Sequence, residues 1–108
     1  MTFGRDFAYI GNQYHLEIFG EELFPDLLFF NRELNCMVVV ELKKGAFKPA
    51  YIGQLQTYMK VLDDKVRKPH ENPTIGILLC KSANKAFVEY VIRDYNSPMG
   101  VATYKTAE

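Results

Sequence analysis

The sequence of 108 residues lacks several features that would place it in a large class of proteins at once. No apolar run approaches the roughly 18 to 20 residues that a membrane-spanning helix needs, and the start, Met1 to Gly11, lacks the basic and long apolar segments of a secretion signal. Repeats, low-complexity tracts and Gly/Ser linkers are also missing. We therefore expect a single domain over residues 1–108, a cytoplasmic location and no membrane partner.

Paired metal ligands of the cysteine and histidine type are missing as well. The two cysteines, Cys36 and Cys80, lie within apolar runs and have no partner at the spacing of a zinc site. They are interpreted as small buried apolar residues. His15 and His70 also lack a partner at ligand spacing, so neither is predicted to bind a metal.

Net charge is absent too, since 13 basic residues balance 13 acidic ones. This balance argues against a purely electrostatic nucleic-acid binder. The distribution is uneven, however: residues 1–41 carry two basic and seven acidic residues, and residues 43–68 carry seven basic and two acidic ones. The second segment predicts either a surface that faces phosphates or simply a solvated helix face.

Two apolar runs rich in β-forming residues dominate the first half of the chain. Residues 24–31 and 36–43 are separated by the short polar segment Arg32–Asn35, which predicts an antiparallel hairpin. Residues 13–19 alternate between apolar and polar, as a half-buried strand does, and the Gly-Glu-Glu that follows predicts a turn.

In the second half of the chain, apolar residues at three- and four-residue spacing predict an amphipathic helix over residues 49–64, with Pro49 in its first turn. Strands are predicted over 75–81 and 87–93, and residues 101–104 are a strand or coil.

The order strand, helix, strand predicts a right-handed crossover, so 36–43 should run parallel to 75–81. The expected fold class is α/β with a mixed sheet. The helix covers one face of that sheet, and the other face needs upstream sequence, a partner chain or a second copy of the chain.

The hairpin register brings two acidic residues together. If Asn31 lies opposite Cys36, then Asp26 lies opposite Glu41 with the two side chains on one face. Directly opposed residues have Cβ atoms about 4.5 to 5.5 Å apart, and like charges in that position repel. A Mg²⁺ ion would offset this repulsion, because it binds one or two carboxylates and completes its shell with water and phosphate oxygens.

Lys43 follows Glu41 by two residues, so the strand period returns it to the same face. An ammonium group beside a metal position fits phosphodiester hydrolysis, with both carboxylates acting as ligands. Gln54 and Tyr58 lie one turn apart on the predicted helix and could reach the same cleft.

Four segments together resemble a known family, and the resemblance runs from about Phe3 to Tyr104. They are Phe-Pro-Asp-Leu-Leu-Phe-Phe (24–30), Val-Val-Val-Glu-Leu-Lys (38–43), Phe-Lys-Pro-Ala-Tyr-Ile-Gly-Gln-Leu-Gln-Thr-Tyr (47–58) and Asn-Pro-Thr-Ile-Gly-Ile-Leu-Leu-Cys-Lys (72–81). In this combination they resemble the PD-(D/E)XK nuclease domain of the YhcG family of bacterial proteins.

The resemblance implies a restriction-endonuclease-like fold whose first core helix is missing from this chain, which would be the C-terminal part of a longer protein. It implies Asp26, Glu41 and Lys43 as catalytic residues, with Asp26, Glu41 and the backbone carbonyl of Leu42 as ligands of Mg²⁺, for which Mn²⁺ can substitute. Four further residues are expected to support the site or bind DNA: Gln54, Tyr58, Lys44 and Lys48. A homodimer or an upstream helical region is the expected protein partner.

The sequence is compatible with three interpretations. The first is a DNA-cleaving enzyme, the second a catalytically inactive nucleic-acid-binding or assembly module with the same fold, and the third a structural domain in which the charged residues form an ion-pair network.

Overall fold

Nine elements form the part of the chain that the computed structural model describes, residues 6–105. In chain order they are β1 (Phe7–Asn12), β2 (Leu16–Ile18), β3 (Glu21–Leu23), β4 (Leu27–Asn31), β5 (Cys36–Leu42), α1 (Pro49–Lys65), β6 (Ile75–Cys80), α2 (Lys85–Ile92) and β7 (Met99–Thr103). Five of the strands make one sheet in the order β1, β4, β5, β6, β7, and β2 pairs with β3 in a separate hairpin. Because β1 and β4 are antiparallel to their neighbours while β5, β6 and β7 are parallel, the sheet is mixed as predicted.

The hairpin of β4 and β5 has the predicted register. Asn31 pairs with Cys36 and Leu27 pairs with Val40. The turn is held by the Leu34 N–H, which donates to the Asn31 side chain at 2.8 Å, and Asn35 takes a positive φ of 53° that asparagine tolerates better than most residues. The local chemistry of this turn therefore fixes which residues oppose each other near the other end of the hairpin.

Helix α1 packs along one face of the sheet through the predicted apolar stripe. Its buried residues are Ile52, Leu55, Tyr58, Met59, Val61 and Leu62. The approach is close at Gly76, where an added Cβ would stand 2.5 Å from the Met59 sulfur. This packing sets α1 directly above β5 and β6, so residues on that face of β5 point at the helix.

Several sequence predictions need correction. The predicted strand over 87–93 is wrong, because residues 85–92 form α2. The apolar run suits either structure, but Val88, Val91 and Ile92 share a helical face that packs on the main core, and the Asn84 side chain caps the helix by accepting from the Phe87 N–H at 3.2 Å. The uncertain segment near the end is the strand β7.

Near the start of the chain, the strand predicted over 13–19 is extended only at Leu16–Ile18, and the turn lies at Phe19 and Gly20, which both have positive φ. Glu21 and Glu22, predicted as part of a turn, belong to β3. The edge strand β1 was not predicted, and it pairs with β4 through an irregularity between Tyr9 and Gly11.

The two faces of the sheet differ in cover. The apolar residues of α1, α2 and β2 pack in one core with Leu28, Val39 and Leu78. The opposite face carries a second cluster built on Phe29, Cys36, Val38 and Val40, to which residues 6–105 contribute strand residues alone. Both cysteines are buried and free, as predicted. Within the described residues, no helix is both long and apolar enough to cross a membrane.

Candidate metal and phosphate site

The two predicted acids meet where the β4–β5 hairpin opens. Asp26 lies directly before β4, and its backbone N–H donates to Glu41 Oε2 at 2.6 Å. In return, the backbone N–H of Leu42 donates to Asp26 Oδ2 at 2.8 Å. The register that the turn imposes thus places both carboxylates beside each other, and each is oriented by the other strand's backbone.

Burial disfavours the negative charge of the Glu41 carboxylate. Glu41 is 3% exposed, and this burial, reinforced by the neighbouring charge of Asp26, raises its pKa from 4.5 to about 7 despite the Asp26 N–H and Lys43, which act in the opposite direction. Neither acid forms an ion pair with a basic residue among residues 6–105. Within residues 6–105 the two acids are therefore held together without a basic partner in an ion pair, an arrangement that a bound cation would stabilise.

Lys43 is held beside the acids by helix α1. Its ammonium group donates to Gln54 Oε1 at 2.8 Å and lies 4.7 Å from the centre of the Tyr51 ring. The Gln54 amide in turn donates to the Tyr58 hydroxyl at 3.1 Å. The structure therefore brings together the five side chains that the sequence assigned to the reaction and its support: Asp26, Glu41, Lys43, Gln54 and Tyr58.

Tyr58 is buried where the helix faces the two acids. Burial and the negative charges of Glu41 and Asp26 raise the pKa of its hydroxyl, while the bond from Gln54 acts in the opposite direction. The hydroxyl therefore stays protonated at neutral pH and keeps a hydrogen to donate, since its bond with Gln54 uses it as an acceptor.

The oxygen donors fit a hard divalent cation. Asp26 and Glu41 supply two carboxylates, and the peptide of Leu42 lies between Glu41 and Lys43 with its N–H bound to Asp26. No cluster of three or more His, Cys, Asp or Glu side chains suitable for a metal occurs in the described ranges. This donor set suits Mg²⁺, which commonly uses one or two carboxylates, better than a metal that needs a closed protein shell.

Comparison with protein families bears on this geometry. The model of the family described as YhcG PDDEXK nuclease domain matches residues 1–107. The chain belongs to this family. It is 33% identical over 105 residues to the protein named "Putative nuclease YhcG" of Escherichia coli (strain K12), a match that covers 97% of this chain and 28% of that protein.

Solved structures similar to this YhcG-family domain share its fold. A repair endonuclease from Pyrococcus abyssi has a TM-score of 0.64 at 16% identity, with 95% of this chain and 40% of the other covered. A complex of EndoMS with double-stranded DNA has a TM-score of 0.63 at 17% identity, with 97% and 39% covered. The predicted restriction-endonuclease-like α/β fold is therefore confirmed.

Three contacts of the YhcG-family site were missed. Gln13 donates to Asp26 Oδ1 at 3.2 Å, and its place depended on the parity of the following turn, which sequence could not fix. Tyr51 belongs to the predicted apolar stripe and packs against the core, but its contact with Lys43 was not predicted, although its spacing to Gln54 and Tyr58 puts all three on one helical face. Tyr104 donates its hydroxyl to the Lys43 carbonyl at 2.8 Å, and nothing in the sequence indicated this.

The two histidines make their contacts away from Asp26 and Glu41. His15 stacks on Phe24 with ring centres 5.0 Å apart and lies 3.0 Å from Glu22 in the β2–β3 hairpin. His70 is exposed, and its carbonyl accepts a bond from Asn35.

The basic segment over residues 43–68 does not form one surface. Lys44 and Lys48 are exposed near the start of α1, close to Lys43. The other lysines of the segment lie in or after the second half of this 17-residue helix, which is about 25 Å long at 1.5 Å per residue. A cavity of about 630 Å³ near that second half, between Lys60, Asp63 and Ser97, contains none of the predicted site residues.

Proposed function

We propose that this YhcG-family domain is a magnesium-dependent nuclease that hydrolyses DNA phosphodiester bonds. The observation that carries the proposal is that backbone N–H groups orient both carboxylates, that of Asp26 donating to Glu41 Oε2 and that of Leu42 to Asp26 Oδ2, beside the ammonium group of Lys43, which donates to Gln54. A protein that only had to fold would be more stable without two adjacent acids, one of them almost fully buried.

Each side chain has a separate task in this proposal. Asp26 and Glu41 hold the cation, together with the backbone carbonyl of Leu42. Lys43 presents a positive charge to the phosphate and stabilises the negative charge that develops on it during hydrolysis. Gln54 and Tyr58 keep the lysine in place, because its side chain would otherwise sample many rotamers.

A bound Mg²⁺, or Mn²⁺ in its place, supplies the positive charge that lets two carboxylates and a phosphate group approach one another. The position of Asp26 is compatible with this task, since Gln13 and the Leu42 N–H orient its carboxylate from two sides. Glu41 must lose its proton to bind a cation, so its raised pKa is a cost that the bound cation would offset.

DNA as the substrate is supported by similarity of fold. One of the similar structures is a complex of EndoMS with double-stranded DNA. The matched part of the Escherichia coli relative is 28% of its length, so other parts of such proteins can also contribute to substrate choice. For the apolar face built on Phe29 and Val38, we propose a second copy of the chain or an upstream helical region as the cover.

One observation favours a second candidate, a catalytically inactive module that binds nucleic acid or assists assembly. The described residues offer two carboxylates at the site and no third metal-binding side chain. Such a module would bind DNA with or without a divalent cation and would not cut it.

Cleavage and metal binding separate these candidates. The nuclease is expected to nick or linearise plasmid DNA and to cut branched DNA in Mg²⁺ or Mn²⁺, and calorimetry should give a binding signal with either ion. Asp26→Ala is expected to abolish the calorimetric signal, because it removes one of two side-chain ligands. Glu41→Ala and Lys43→Ala are expected to abolish cleavage.

The outcomes against the proposal are equally specific. Cleavage that survives both Glu41→Ala and Lys43→Ala would assign the activity to a contaminant or another site. DNA binding without metal-dependent cleavage or a metal signal would favour the inactive module. His70→Ala, at an exposed position away from the site, is a matched control that should cleave like the wild type.

A further inference from the structure

Three parallel strands end at the edge of the sheet where the site lies. Leu42 of β5 pairs with Leu79 of β6, and Cys80 of β6 pairs with Thr103 of β7. Each strand is followed at once by basic residues: Lys43 and Lys44 after β5, Lys81 after β6, and Lys105 after β7 and Tyr104. Lysines that are distant in sequence therefore leave the sheet at the same edge.

Backbone hydrogen bonds hold the segments that follow β5, β6 and β7 side by side. Lys43 N–H donates to the Leu79 carbonyl at 2.8 Å, Lys81 N–H to the Gly45 carbonyl at 3.0 Å, and Tyr104 N–H to the Cys80 carbonyl at 3.1 Å. The Tyr104 hydroxyl closes the set by donating to the Lys43 carbonyl. The segments are thus a fixed part of the sheet edge.

The helices that follow β5 and β6 start at this edge with lysines of their own. Lys48 is the N-terminal cap of α1 and Lys85 is the first residue of α2. We define the basic rim as the five lysines beside Lys43 at this edge: Lys44, Lys48, Lys81, Lys85 and Lys105.

The charge of the basic rim is not neutralised by the described protein. All five side chains are exposed, and none forms an ion pair with a carboxylate among residues 6–105. The connecting segments 43–50 and 81–88 contain no acidic residue. Positive charge with this density and exposure suits a polyanion.

On the other side of the site the charge is reversed. Strands β1 and β4 also meet this edge, and the β2–β3 hairpin between them carries Glu17, Glu21 and Glu22, all exposed. Along the edge, the order is therefore acidic hairpin, the pair Asp26 and Glu41, Lys43, and then the basic rim. A phosphate backbone is attracted on one side of the site and repelled on the other.

We propose that the basic rim is a binding track for the backbone of a nucleic-acid strand, which extends from Lys43 across the ends of β6 and β7. The track rests on the proposed function and deepens it, because it predicts that the substrate is held on one side of the scissile phosphate. From β5 to β7 the edge spans about 10 Å, so the track is long enough to contact more than one phosphate of a strand.

Salt dependence of binding tests the track without turnover. Fluorescence anisotropy with short labelled single- and double-stranded DNA is measured in EDTA over a range of salt concentrations. A rim triple variant, Lys81→Gln, Lys85→Gln and Lys105→Gln, is compared with the wild type. Each phosphate contact contributes about 0.7 to 0.9 to the slope of log K against log salt, so the rim variant should lose about 2 to 3 in slope.

A matched control has the same change in net charge at the far end of α1: Lys60→Gln, Lys65→Gln and Lys68→Gln. It is expected to keep the wild-type slope. Equal losses in the two triples would show that affinity follows net charge alone, and this would overturn the track. An unchanged slope in the rim variant would overturn it as well, and thermal unfolding of both variants checks that they are folded.

The same samples separate failure of the track from failure of the proposed function. Rim-dependent binding without cleavage in Mg²⁺ would keep the track and reject the nuclease. Metal-dependent cleavage, together with a salt-dependence slope that is the same in the rim variant and the wild type, would support the nuclease and reject the track. A further experiment tests whether the substrate is bound on one side of the scissile phosphate. Phosphates on each side of the main cleavage position are replaced in turn by neutral linkages, and only replacements on one side should lower the affinity.

Discussion

Near the C-terminal end of α1, the carboxylate of Asp63 accepts hydrogen bonds from the N–H and the hydroxyl of Thr74, at 2.9 and 2.7 Å. Arg67 lies 3.6 Å from the same oxygen. At the other end of the helix, Glu41 is more deeply buried than Asp63, yet a second acid, Asp26, lies beside it.

The two acids differ in the partners that surround them, and this difference indicates a different role for each end of the helix. Around Asp63, the buried N–H and hydroxyl of Thr74 both have a hydrogen-bond acceptor. The exception in this cluster is Arg67 Nε, which is buried without a hydrogen bond. Around Glu41, by contrast, two acidic side chains repel each other, and the pKa of Glu41 is raised. We infer that the first cluster stabilises the fold and that the second is kept for binding a cation and a phosphate.

The largest expected effect is on cleavage, and it contrasts one acid from each cluster. Asp26→Asn should reduce the rate of DNA cleavage in Mg²⁺ by about a thousandfold, since it removes a charged ligand of the cation that would stabilise the negative charge developing on the phosphate. Asp63→Asn should change the rate per folded molecule by less than about twofold. Single-turnover cleavage assays on both variants check this. If both variants lost activity to the same extent, the division of tasks between the two clusters would be wrong.

The next effect concerns the stability of the metal-free protein as a function of pH. Because the pKa of Glu41 is raised from 4.5 to about 7 on folding, the folded state binds more protons between these values. The contribution of Glu41 to stability should therefore be greatest below pH 4.5, fall as the pH rises towards 7, and stay low above it. The full difference corresponds to about 3 kcal/mol.

Glu41→Gln provides the comparison for this pH dependence. Urea unfolding in EDTA at a series of pH values should show that the variant is more stable than the wild type above pH 7 and that the gap closes at low pH. A constant gap at every pH would contradict the assignment to Glu41.

A smaller change in stability is expected from the structural cluster. Asp63→Ala leaves the buried N–H and hydroxyl of Thr74 without their acceptor, and Thr74 is 0% exposed. The free energy of unfolding should fall by about 2 kcal/mol. Urea denaturation at neutral pH measures it, with the exposed Asp64→Ala as the control. A loss below about 0.5 kcal/mol, typical of surface changes, would refute the structural role.

The smallest expected effect tests the link between α1 and the lysine. Tyr58→Phe removes the hydroxyl that accepts from Gln54, and Gln54 then holds Lys43 less firmly. Loss of one such hydrogen bond should lower kcat by roughly twofold to tenfold with little change in KM. A rate as low as that of Lys43→Ala would instead place Tyr58 in the chemistry itself.

Local patterns in the sequence were enough for much of the fold. The stripe of α1, the apolar strands β5 and β6 and the turn at Arg32–Asn35 could be predicted, because each depends on spacing within a short segment. Helix α2 could not, since a run of seven mostly apolar residues suits a strand or a helix until the core behind it is known. The edge strand β1 is recognisable mainly through its pairing with β4.

For the candidate site, the same distinction applies to individual contacts. The register of one hairpin turn was sufficient to bring Asp26 and Glu41 together, and helical spacing was sufficient for Gln54 and Tyr58. Gln13 depended on a turn whose parity the sequence left undetermined, and Tyr104 depended on the parallel placement of β7. The catalytic and metal-binding roles of these residues stay predictions.

By itself, the sequence determined the pairing of two neighbouring strands and the residues that share one helical face, because hydrogen-bond register and helical periodicity are local properties of the chain. Only the tertiary structure decided which distant segments share the sheet edge. Crossovers carry β6 and β7 parallel to β5, and so Lys81 and Lys105 lie at the edge with Lys43, whereas the length of α1 carries Lys65 away from it.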